Sequence, residues 1–277
     1  MRDADRNDWD HAHIGELIDL ALREDIGSGD ATTEACVPPE TRASGVFLSR
    51  EALILAGTPL LKRLYGGCRV ELLASDGDSL GEDQVFARVE GPCRQLLTVE
   101  RTALNLLQRA SGIATLTSRF VREIEGTGCT LLDTRKTSPG MRMVAKLAVL
   151  AGGGTNHRMG LYDAILVKNN HITVAGGVRQ AIGLCRPSRL PVEVEVRSLD
   201  ELAEALDCGC RHVLLDNFSP SQVAVAVRRV GGRAKVEVSG NVVLETLRDY
   251  AMAGADYVSV GALTHSARAM DISFRIR

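Results

Sequence analysis

Residues 131–172 read LLDTRKTSPGMRMVAKLAVLAGGGTNHRMGLYDAILVKNNHI, and this stretch decides the fold. It contains two short apolar runs typical of buried strands. Arg135 and Lys136 follow the first run, and Lys168 ends the second. Parallel α/β folds bind their ligands at the carboxyl ends of such strands. Between Arg101 and Lys168 the chain has ten Lys and Arg against four Asp and Glu, a local charge of +6 (10 − 4) in a protein of net charge −2. The stretch therefore predicts a site for an anionic ligand.

The composition is that of a globular protein rather than a membrane or nucleic-acid-binding protein. Of the 277 residues 45% are hydrophobic and 25% charged, which suits a parallel sheet filled with aliphatic side chains. No apolar run reaches the roughly 18 residues of a membrane span, and the polar start MRDADRNDWDHAH lacks the pattern of a secretion signal, so we expect a cytoplasmic protein. No basic stripe interleaved with aromatic residues is present, so nucleic acid is not expected as a partner. The seven scattered cysteines predict reduced thiols rather than a zinc site.

The first third of the chain predicts a small β-rich domain. Residues 1 to about 8 are predicted to be a disordered tail, and helical spacing predicts a helix over Trp9–Glu24, followed by a connection at residues 25–30. Three segments separated by Gly and Asp turns predict short strands, SGVFLSREALILAG, RVELLASDGDSL and QVFARVEG. After Pro92 the apolar spacing changes to 3.6 residues and predicts two or more helices up to Gly126.

The rest of the chain alternates strand-like and helix-like segments. Such alternation over about 150 residues predicts a parallel sheet and a partial or complete β/α barrel. The predicted strands are LLDT, AILVKN, PVEVEV, HVLLDN, AKVEVSG and YVSVGA. Polar residues end these strands, namely Arg135, Lys136, Lys168, Glu195, Asp216, Ser239 to Asn241 and Ser259 to Gly261.

Glu195 and Asp216 are carboxylates in apolar strands, where a charge is costly unless it is paired or bound to metal. They either pair with Lys168 or Arg158 as structural ion pairs or bind ribose hydroxyls and Mg²⁺ beside substrate phosphates, and we favour the second interpretation. The loops VSGN and SVGALTHSA place small residues and backbone N–H groups before helices, which suits a monophosphate.

Several chemistries remain open at this point. Lys168 is placed for a Schiff base, as in a barrel aldolase. The cluster of arginines favours carboxylate or phosphate binding instead, because a guanidinium group forms bidentate hydrogen bonds with both groups. His157 is either a general base or a further hydrogen-bond donor. A binder of phosphorylated sugars without catalytic activity is also open, although it has no need for carboxylates that bind Mg²⁺.

Several long motifs together resemble those of the quinolinate phosphoribosyltransferase family of NAD synthesis. The enzyme of this family is also called carboxylating nicotinate-nucleotide pyrophosphorylase. The motifs are RTALNLLQRASGIAT, LDTRKTSPGMR, GGGTNHRMGLYDAILVKNNHI, VEVEVRSL, LLDNFSP and SVGALTHSA. The resemblance implies an α/β fold, with an α+β N-terminal domain over residues 1–108 and an incomplete TIM-like α/β barrel over 109–267. Under this resemblance, residues 268–277 are a candidate segment for a return to the N-terminal domain. It also implies a homodimer or a higher assembly, with quinolinate and phosphoribosyl pyrophosphate as substrates and Mg²⁺ as cofactor.

The resemblance also assigns roles to individual residues. It places a group around the dicarboxylate: Arg101, Thr134, Arg135, Lys136, His157, Arg158 and Lys168. It gives the ribose and Mg²⁺ to Glu195 and Asp216, and the 5-phosphate to Ser239, Gly240, Asn241, Val260, Gly261 and Ala262. The catalytic residues expected on this basis are Lys136, Lys168, Glu195 and Asp216. Arg101 is expected to reach the site of a neighbouring subunit.

One position departs from the pattern. Members usually carry aspartate after the strand-end lysine, whereas Asn169 follows Lys168 here, which removes a negative charge near the expected pyrophosphate position. The nearest competing relative is the phosphoribosyltransferase-like protein associated with molybdate transport, which the intact NHRMGLYDAILVKNNHI motif disfavours.

Overall fold

The computed structural model describes residues 8–277, so the predicted tail lies outside the described residues except for its last position. The chain divides into two compact units. Unit 1 contains the described residues up to Ser118 with Thr137–Gly153 and Ala262–Arg277, and unit 2 contains Arg119–Lys136 and Gly154–Gly261. The boundary at residues 108 and 109 stays a prediction.

Unit 1 is built on antiparallel strands. Its strands are β1 (Arg42–Ser49), β2 (Leu53–Ile54), β3 (Arg69–Leu72), β4 (Ser79–Leu80), β5 (Val85–Pro92) and β12 (Ile272–Ile276). Four of them form a sheet in the order β12-β1-β5-β3, and β2 pairs with β4. In the β1–β12 ladder Phe47 lies opposite Phe274, and the two rings are 4.7 Å apart in the buried core. The last strand of the chain therefore completes the sheet that β1 begins.

The helices of unit 1 include one long element that the sequence pattern divided. The helices are α1 (Ala12–Ile26), α2 (Ala31–Cys36), α3 (Leu60–Leu64), α4 (Cys93–Glu123, whose last five residues belong to unit 2), α5 (Arg142–Ala151) and α11 (Ala262–His265). The prediction of two or more helices after Pro92 is wrong, because α4 is a single helix of 31 residues. Gly112 lies in its interior, where a Cβ would come 1.9 Å from the carbonyl oxygen of Arg268. Glycine here permits a close backbone approach and does not end the helix.

Unit 2 is the predicted barrel. Its parallel strands are β6 (Thr130–Leu132), β7 (Ile165–Val167), β8 (Val192–Val196), β9 (His212–Asp216), β10 (Lys235–Ser239) and β11 (Tyr257–Ser259). They pair in the order β6-β11-β10-β9-β8-β7, and within the described part of the chain no ladder joins β6 to β7. The helices are α6 (Asn169–Ala175), α7 (Val178–Cys185), α8 (Leu199–Asp207), α9 (Pro220–Val230) and α10 (Leu244–Met252). The predicted fold class is confirmed, an α/β chain with an incomplete barrel.

Strand register brings the polar strand ends to one level. Ser239 pairs with Asp216 on one side and with Ser259 on the other. Helix caps fix the connections that follow: the Ser198 side chain accepts the Glu201 N–H at the start of α8, and that of Ser219 accepts the Gln222 N–H at the start of α9. Across residues 8–277, the helices are all too short or too polar to cross a membrane.

Candidate active site

A pocket of about 570 Å³ opens at the carboxyl ends of the unit 2 strands. Its walls combine cations, carboxylates and small polar residues. The lining residues are Thr134, Arg135, Lys136, His157, Arg158, Leu166, Lys168, Glu195, Leu214, Asp216, Asn217, Glu237, Ser239, Gly240, Asn241 and Ser259.

The structure brings together eleven of the fifteen residues that the sequence predicts for the site. The four others do not line the pocket. Arg101 is exposed and lines a separate cavity of about 340 Å³ within unit 1, together with Asp25 and Asp30. Val260 is buried, and Gly261 and Ala262 are half-buried.

Two arginines supply most of the fixed charge on one side of the pocket. Arg135 is half-buried, and its Nε is shielded from solvent and has no hydrogen-bond partner among the described residues. Arg158 donates from Nη1 to the carbonyl oxygen of Ala164 at 3.0 Å. Burial and the charge of Arg135 lower the pKa of Arg158, which reflects two guanidinium groups close together. A ligand with carboxylates relieves both the repulsion and the unsatisfied donor.

The loop that carries His157 and Arg158 is folded around two aspartates. The buried Asp133 follows β6, and its Oδ1 accepts the backbone N–H of His157 at 2.8 Å. Asp163 accepts the N–H groups of Met159 and Gly160 at 2.7 and 2.9 Å. These local contacts explain why the GTNHRMGLYD segment holds its residues at the pocket rather than extending into solvent.

Lys168 and Glu195 form an ion pair in the pocket, with Nζ 3.4 Å from Oε2. The lysine side chain is 51% exposed and that of Glu195 is 13% exposed. The backbone N–H of Asn169 donates to Oε1 of Glu195 at 3.4 Å, so this contact does not depend on the side chain at position 169.

Another part of the pocket wall is a tight backbone turn after β10. Gly240 has φ +99°, and a Cβ there would lie 2.3 Å from Oδ1 of Asn217. The same Asn217 oxygen accepts a hydrogen bond from Nδ2 of Asn241 at 3.1 Å. Asn217 and Asn241 both have positive φ, 59° and 52°. Only glycine fits between them, and the backbone at Gly240 is thereby open to a ligand.

Comparison with known proteins agrees with this geometry. The family model of the quinolinate phosphoribosyl transferase N-terminal domain matches residues 30–111, and that of the C-terminal domain matches 113–275. The chain belongs to this family. It is 40% identical to quinolinate phosphoribosyltransferase (decarboxylating) 1 of Nicotiana glauca, over 94% of this chain and 81% of that protein. It is 37% identical to the probable nicotinate-nucleotide pyrophosphorylase (carboxylating) of Bacillus subtilis, over 96% and 94%. The nicotinate-nucleotide pyrophosphorylase structure from Francisella tularensis superposes with a TM-score of 0.91 at 37% identity, over 96% of each chain.

In this member of the quinolinate phosphoribosyltransferase family, sequence reasoning missed a group of residues that lie deeper in the barrel. Asn217 and Glu237 line the pocket, as does Ser259, which was predicted only as a polar strand end. Glu193 lies next to both His157 and His212, and neither Glu193 nor His212 belongs to the pocket lining. A signal existed for these residues: alternation along VEVEV places Glu193 on the same face as Glu195, and KVEVS places Glu237 on the same face as Ser239.

Proposed function

We infer that this protein catalyses the reaction of its family. It transfers the 5-phosphoribosyl group of phosphoribosyl pyrophosphate to the ring nitrogen of quinolinate, with loss of CO₂. The products are nicotinate mononucleotide and pyrophosphate, in the de novo synthesis of NAD. The observation that carries this inference is the pocket at the barrel strand ends, where cations, carboxylates and a bare backbone turn lie within one cavity.

Quinolinate has two adjacent carboxylates, which the arginine side of the pocket is suited to hold. Arg135 offers a buried donor without a partner, and Arg158 lies close enough to it for the two charges to interact. Thr134, Lys136, His157 and Lys168 line the same pocket. We assign these residues to the dicarboxylate, and Ser239, Gly240 and Asn241 to the 5-phosphate, which takes backbone N–H groups readily.

The chemistry requires charge stabilisation more than proton transfer. Attack by the pyridine nitrogen on the anomeric carbon passes through a state with oxocarbenium character, and we assign Glu195 and Asp216, which line the pocket, to stabilise this positive charge. The cations of the pocket and Mg²⁺ would stabilise the departing pyrophosphate. The pyridinium formed then stabilises the carbanion that remains at C2 when the neighbouring carboxylate leaves as CO₂, and a proton from solvent completes the C2–H bond, so decarboxylation needs no further cofactor.

We propose Mg²⁺ as the cofactor, held by Glu195 and Asp216. The donor set fits this ion, because Glu195 lies one residue before the end of β8, Asp216 ends the adjacent β9, and both line the pocket. Mg²⁺ prefers one or two carboxylates together with substrate phosphates. When bound, it supplies positive charge that favours departure of pyrophosphate. The two side chains hold the ribose end of the substrate on the same side as the Gly240 turn.

The aldolase alternative fits the site poorly. A Schiff-base lysine must be desolvated to act as a nucleophile. Lys168 is half-exposed and lies 3.4 Å from a carboxylate oxygen of Glu195, so it is not the desolvated lysine that this chemistry needs. Borohydride treatment with carbonyl substrates should leave Lys168 unmodified.

We also propose a homodimer in which Arg101 of one subunit completes the pocket of the other. Arg101 is exposed on α4 and is absent from the pocket lining of its own chain. A two-fold interface creates two shared sites at once. Arg101→Ala and Lys136→Ala homodimers should each be almost inactive, whereas a heterodimer has one site with both defects and one intact site. Random subunit exchange should therefore restore about a quarter of wild-type activity. Verified exchange without recovery would assign Arg101 to its own subunit.

The assay for the proposed reaction uses quinolinate, phosphoribosyl pyrophosphate and Mg²⁺, with nicotinate mononucleotide measured by chromatography. Nicotinate in place of quinolinate is the matched control, because it lacks the second carboxylate. Product from quinolinate alone is the expected result. Equal product from nicotinate, or none from either, contradicts the proposal. The cytoplasmic location stays a prediction.

A further inference from the structure

One loop of unit 2, residues 157–164, carries Arg158, and we call it the arginine loop. At its start Asp133, which follows β6, accepts the backbone N–H of His157 at 2.8 Å. At its end the chain enters β7 at Ile165. Both ends of the loop are thus tied to the barrel strands, whereas the residues between them belong to no strand or helix. Their conformation needs a separate explanation.

Apolar packing does not explain the tip of the arginine loop. Leu161 and Tyr162 form this tip, and they are 72% and 74% exposed. Met159 and Gly160, which precede them, are buried, so their backbone N–H groups need acceptors within the protein. The conformation of the tip therefore depends on polar contacts.

Asp163 supplies these contacts. Its Oδ2 accepts the N–H of Met159 at 2.7 Å, and its Oδ1 accepts the N–H of Gly160 at 2.9 Å. Both oxygens of one carboxylate thus bind consecutive N–H groups, and hydrogen bonds to a charged acceptor are stronger than those between neutral groups. The two bonds close residues 159–163 into a turn.

The closed turn also places the acceptor that orients Arg158. Nη1 of Arg158 donates to the carbonyl oxygen of Ala164 at 3.0 Å, and Ala164 directly follows Asp163. Burial and the charge of Arg135 lower the pKa of Arg158, and the charges of Glu193 and Asp163 oppose this decrease. Opening the turn would therefore move the acceptor of the guanidinium group and a carboxylate that favours its positive charge.

We propose that Asp163 is a positioning residue for quinolinate, because it closes the arginine loop so that Arg158 presents its guanidinium group to a substrate carboxylate. The inference rests on the proposed function, in which Arg158 binds quinolinate. Asp163 does not belong to the pocket lining, so it acts through Arg158 and not on the substrate. A guanidinium group binds a carboxylate through a planar fork, and a small rotation of this fork loses one of its two hydrogen bonds.

A turn carboxylate can also contribute to stability alone, and unit 1 contains a matched example. Asp76 accepts the N–H groups of the consecutive residues Gly57 and Thr58, both at 2.9 Å and each with a different oxygen. Asp76 is half-buried like Asp163 and does not line the pocket. Asp76→Ala therefore removes the same kind of contact without a change in the arginine loop.

Steady-state kinetics with quinolinate and phosphoribosyl pyrophosphate test the proposal. Asp163→Ala should raise the KM for quinolinate about 10- to 100-fold, because a displacement of about 1 Å at a binding group has effects of this size. The KM for phosphoribosyl pyrophosphate should stay nearly unchanged. Asp163→Asn keeps one acceptor oxygen and should give an intermediate KM for quinolinate. Asp76→Ala should lower the melting temperature as Asp163→Ala does, with both KM values unchanged.

A double-mutant cycle shows whether the effect of Asp163 passes through Arg158. Arg158→Lys keeps the positive charge and removes the guanidinium group that Asp163 positions. Asp163→Ala in the Arg158→Lys background should therefore raise the KM for quinolinate far less than it does in the wild-type background. An increase of the same factor in both backgrounds would show that Asp163 acts independently of Arg158, and it would overturn the proposal.

The single variants can overturn the proposal as well. An unchanged KM for quinolinate in Asp163→Ala contradicts it, and so does an equal rise of the two KM values, which would indicate a general distortion. Should Asp163→Ala fail to fold, the nearly isosteric Asp163→Asn decides by the same criteria. Turnover of quinolinate by the wild-type protein with an unchanged KM in the Asp163 variants contradicts this inference alone. No turnover by the wild-type protein contradicts the proposed function.

Discussion

Replacement of Arg135 by alanine should weaken quinolinate binding without weakening the fold. The side chain is half-buried, and its Nε is a shielded donor with no partner among the described residues. A charge-assisted hydrogen bond contributes about 1.5–3 kcal/mol, because removing it leaves a carboxylate unmatched. At about 1.4 kcal/mol per tenfold change, the loss of one such bond raises the KM for quinolinate roughly 10- to 150-fold.

The same substitution should leave the stability of the fold nearly unchanged. An unsatisfied buried donor costs about 1–3 kcal/mol in the free protein, so its removal offsets part of the packing lost with the side chain. The melting temperature of Arg135→Ala should therefore stay within about 3 °C of the wild-type value or rise. Arg135→Lys should show an intermediate KM, because it keeps the charge and loses the planar fork.

Initial rates and calorimetry measure these effects, with quinolinate and nicotinate as ligands. Arg197→Ala is the matched control, since Arg197 is an exposed arginine that pairs with Glu201 four residues later. Its KM for quinolinate should be unchanged. The reasoning is refuted if Arg135→Ala changes KM less than twofold, or if nicotinate binds the wild-type protein as tightly as quinolinate.

Three further predictions concern the rest of the site. Glu195→Ala and Asp216→Ala should raise the KM for phosphoribosyl pyrophosphate and the Mg²⁺ requirement more than the KM for quinolinate, and steady-state kinetics with unchanged values in both variants would leave them a structural role only. Gly240→Ala should lower the affinity for phosphoribosyl pyrophosphate at least tenfold, because the added Cβ would lie 2.3 Å from Oδ1 of Asn217. Unchanged affinity in a titration would contradict this prediction, because it would mean that the turn accommodates the Cβ without harm to binding. Burial opposes ionisation of Glu237, but the two imidazoles outweigh it and lower its pKa from 4.5 to about 2. Its carboxylate therefore stabilises the fold above about pH 4.5, and this stability is lost as the pH falls toward 2. The melting temperature of Glu237→Gln should therefore depend less on pH across that range than the wild-type value. Equal pH dependence of the two melting temperatures would contradict this prediction.

Much of the barrel was predictable because each strand is a short apolar run that ends in a polar residue. LLDT, AILVKN and HVLLDN carry both the strand and its ligand-facing end in a few residues. α4 was harder. Gly112 interrupts its pattern, and only the structure shows the close backbone approach to Arg268 that explains the glycine. Long-range contacts of this kind leave no local signal.

The candidate site shows the same limit. Strand ends such as Lys168 and Asp216 follow from position along the chain. The cluster of His157, Glu193, His212 and Glu237 instead joins residues from three strands and a loop. Sequence reasoning missed Glu237, because its two imidazole neighbours, which make a buried carboxylate tolerable, come from distant segments. The Arg158 N–H contact to His157 depends on loop geometry that no periodicity describes.

The central claim is that one protein couples ribosyl transfer to decarboxylation in one pocket. Quinolinate labelled with ¹³C in the carboxylate next to the ring nitrogen, incubated with phosphoribosyl pyrophosphate, Mg²⁺ and the protein, tests it by NMR. The account predicts labelled CO₂ or bicarbonate and nicotinate mononucleotide in equal amounts, and neither when phosphoribosyl pyrophosphate is omitted. Consumption of phosphoribosyl pyrophosphate with the label still on the ring, or no consumption at all, would contradict it.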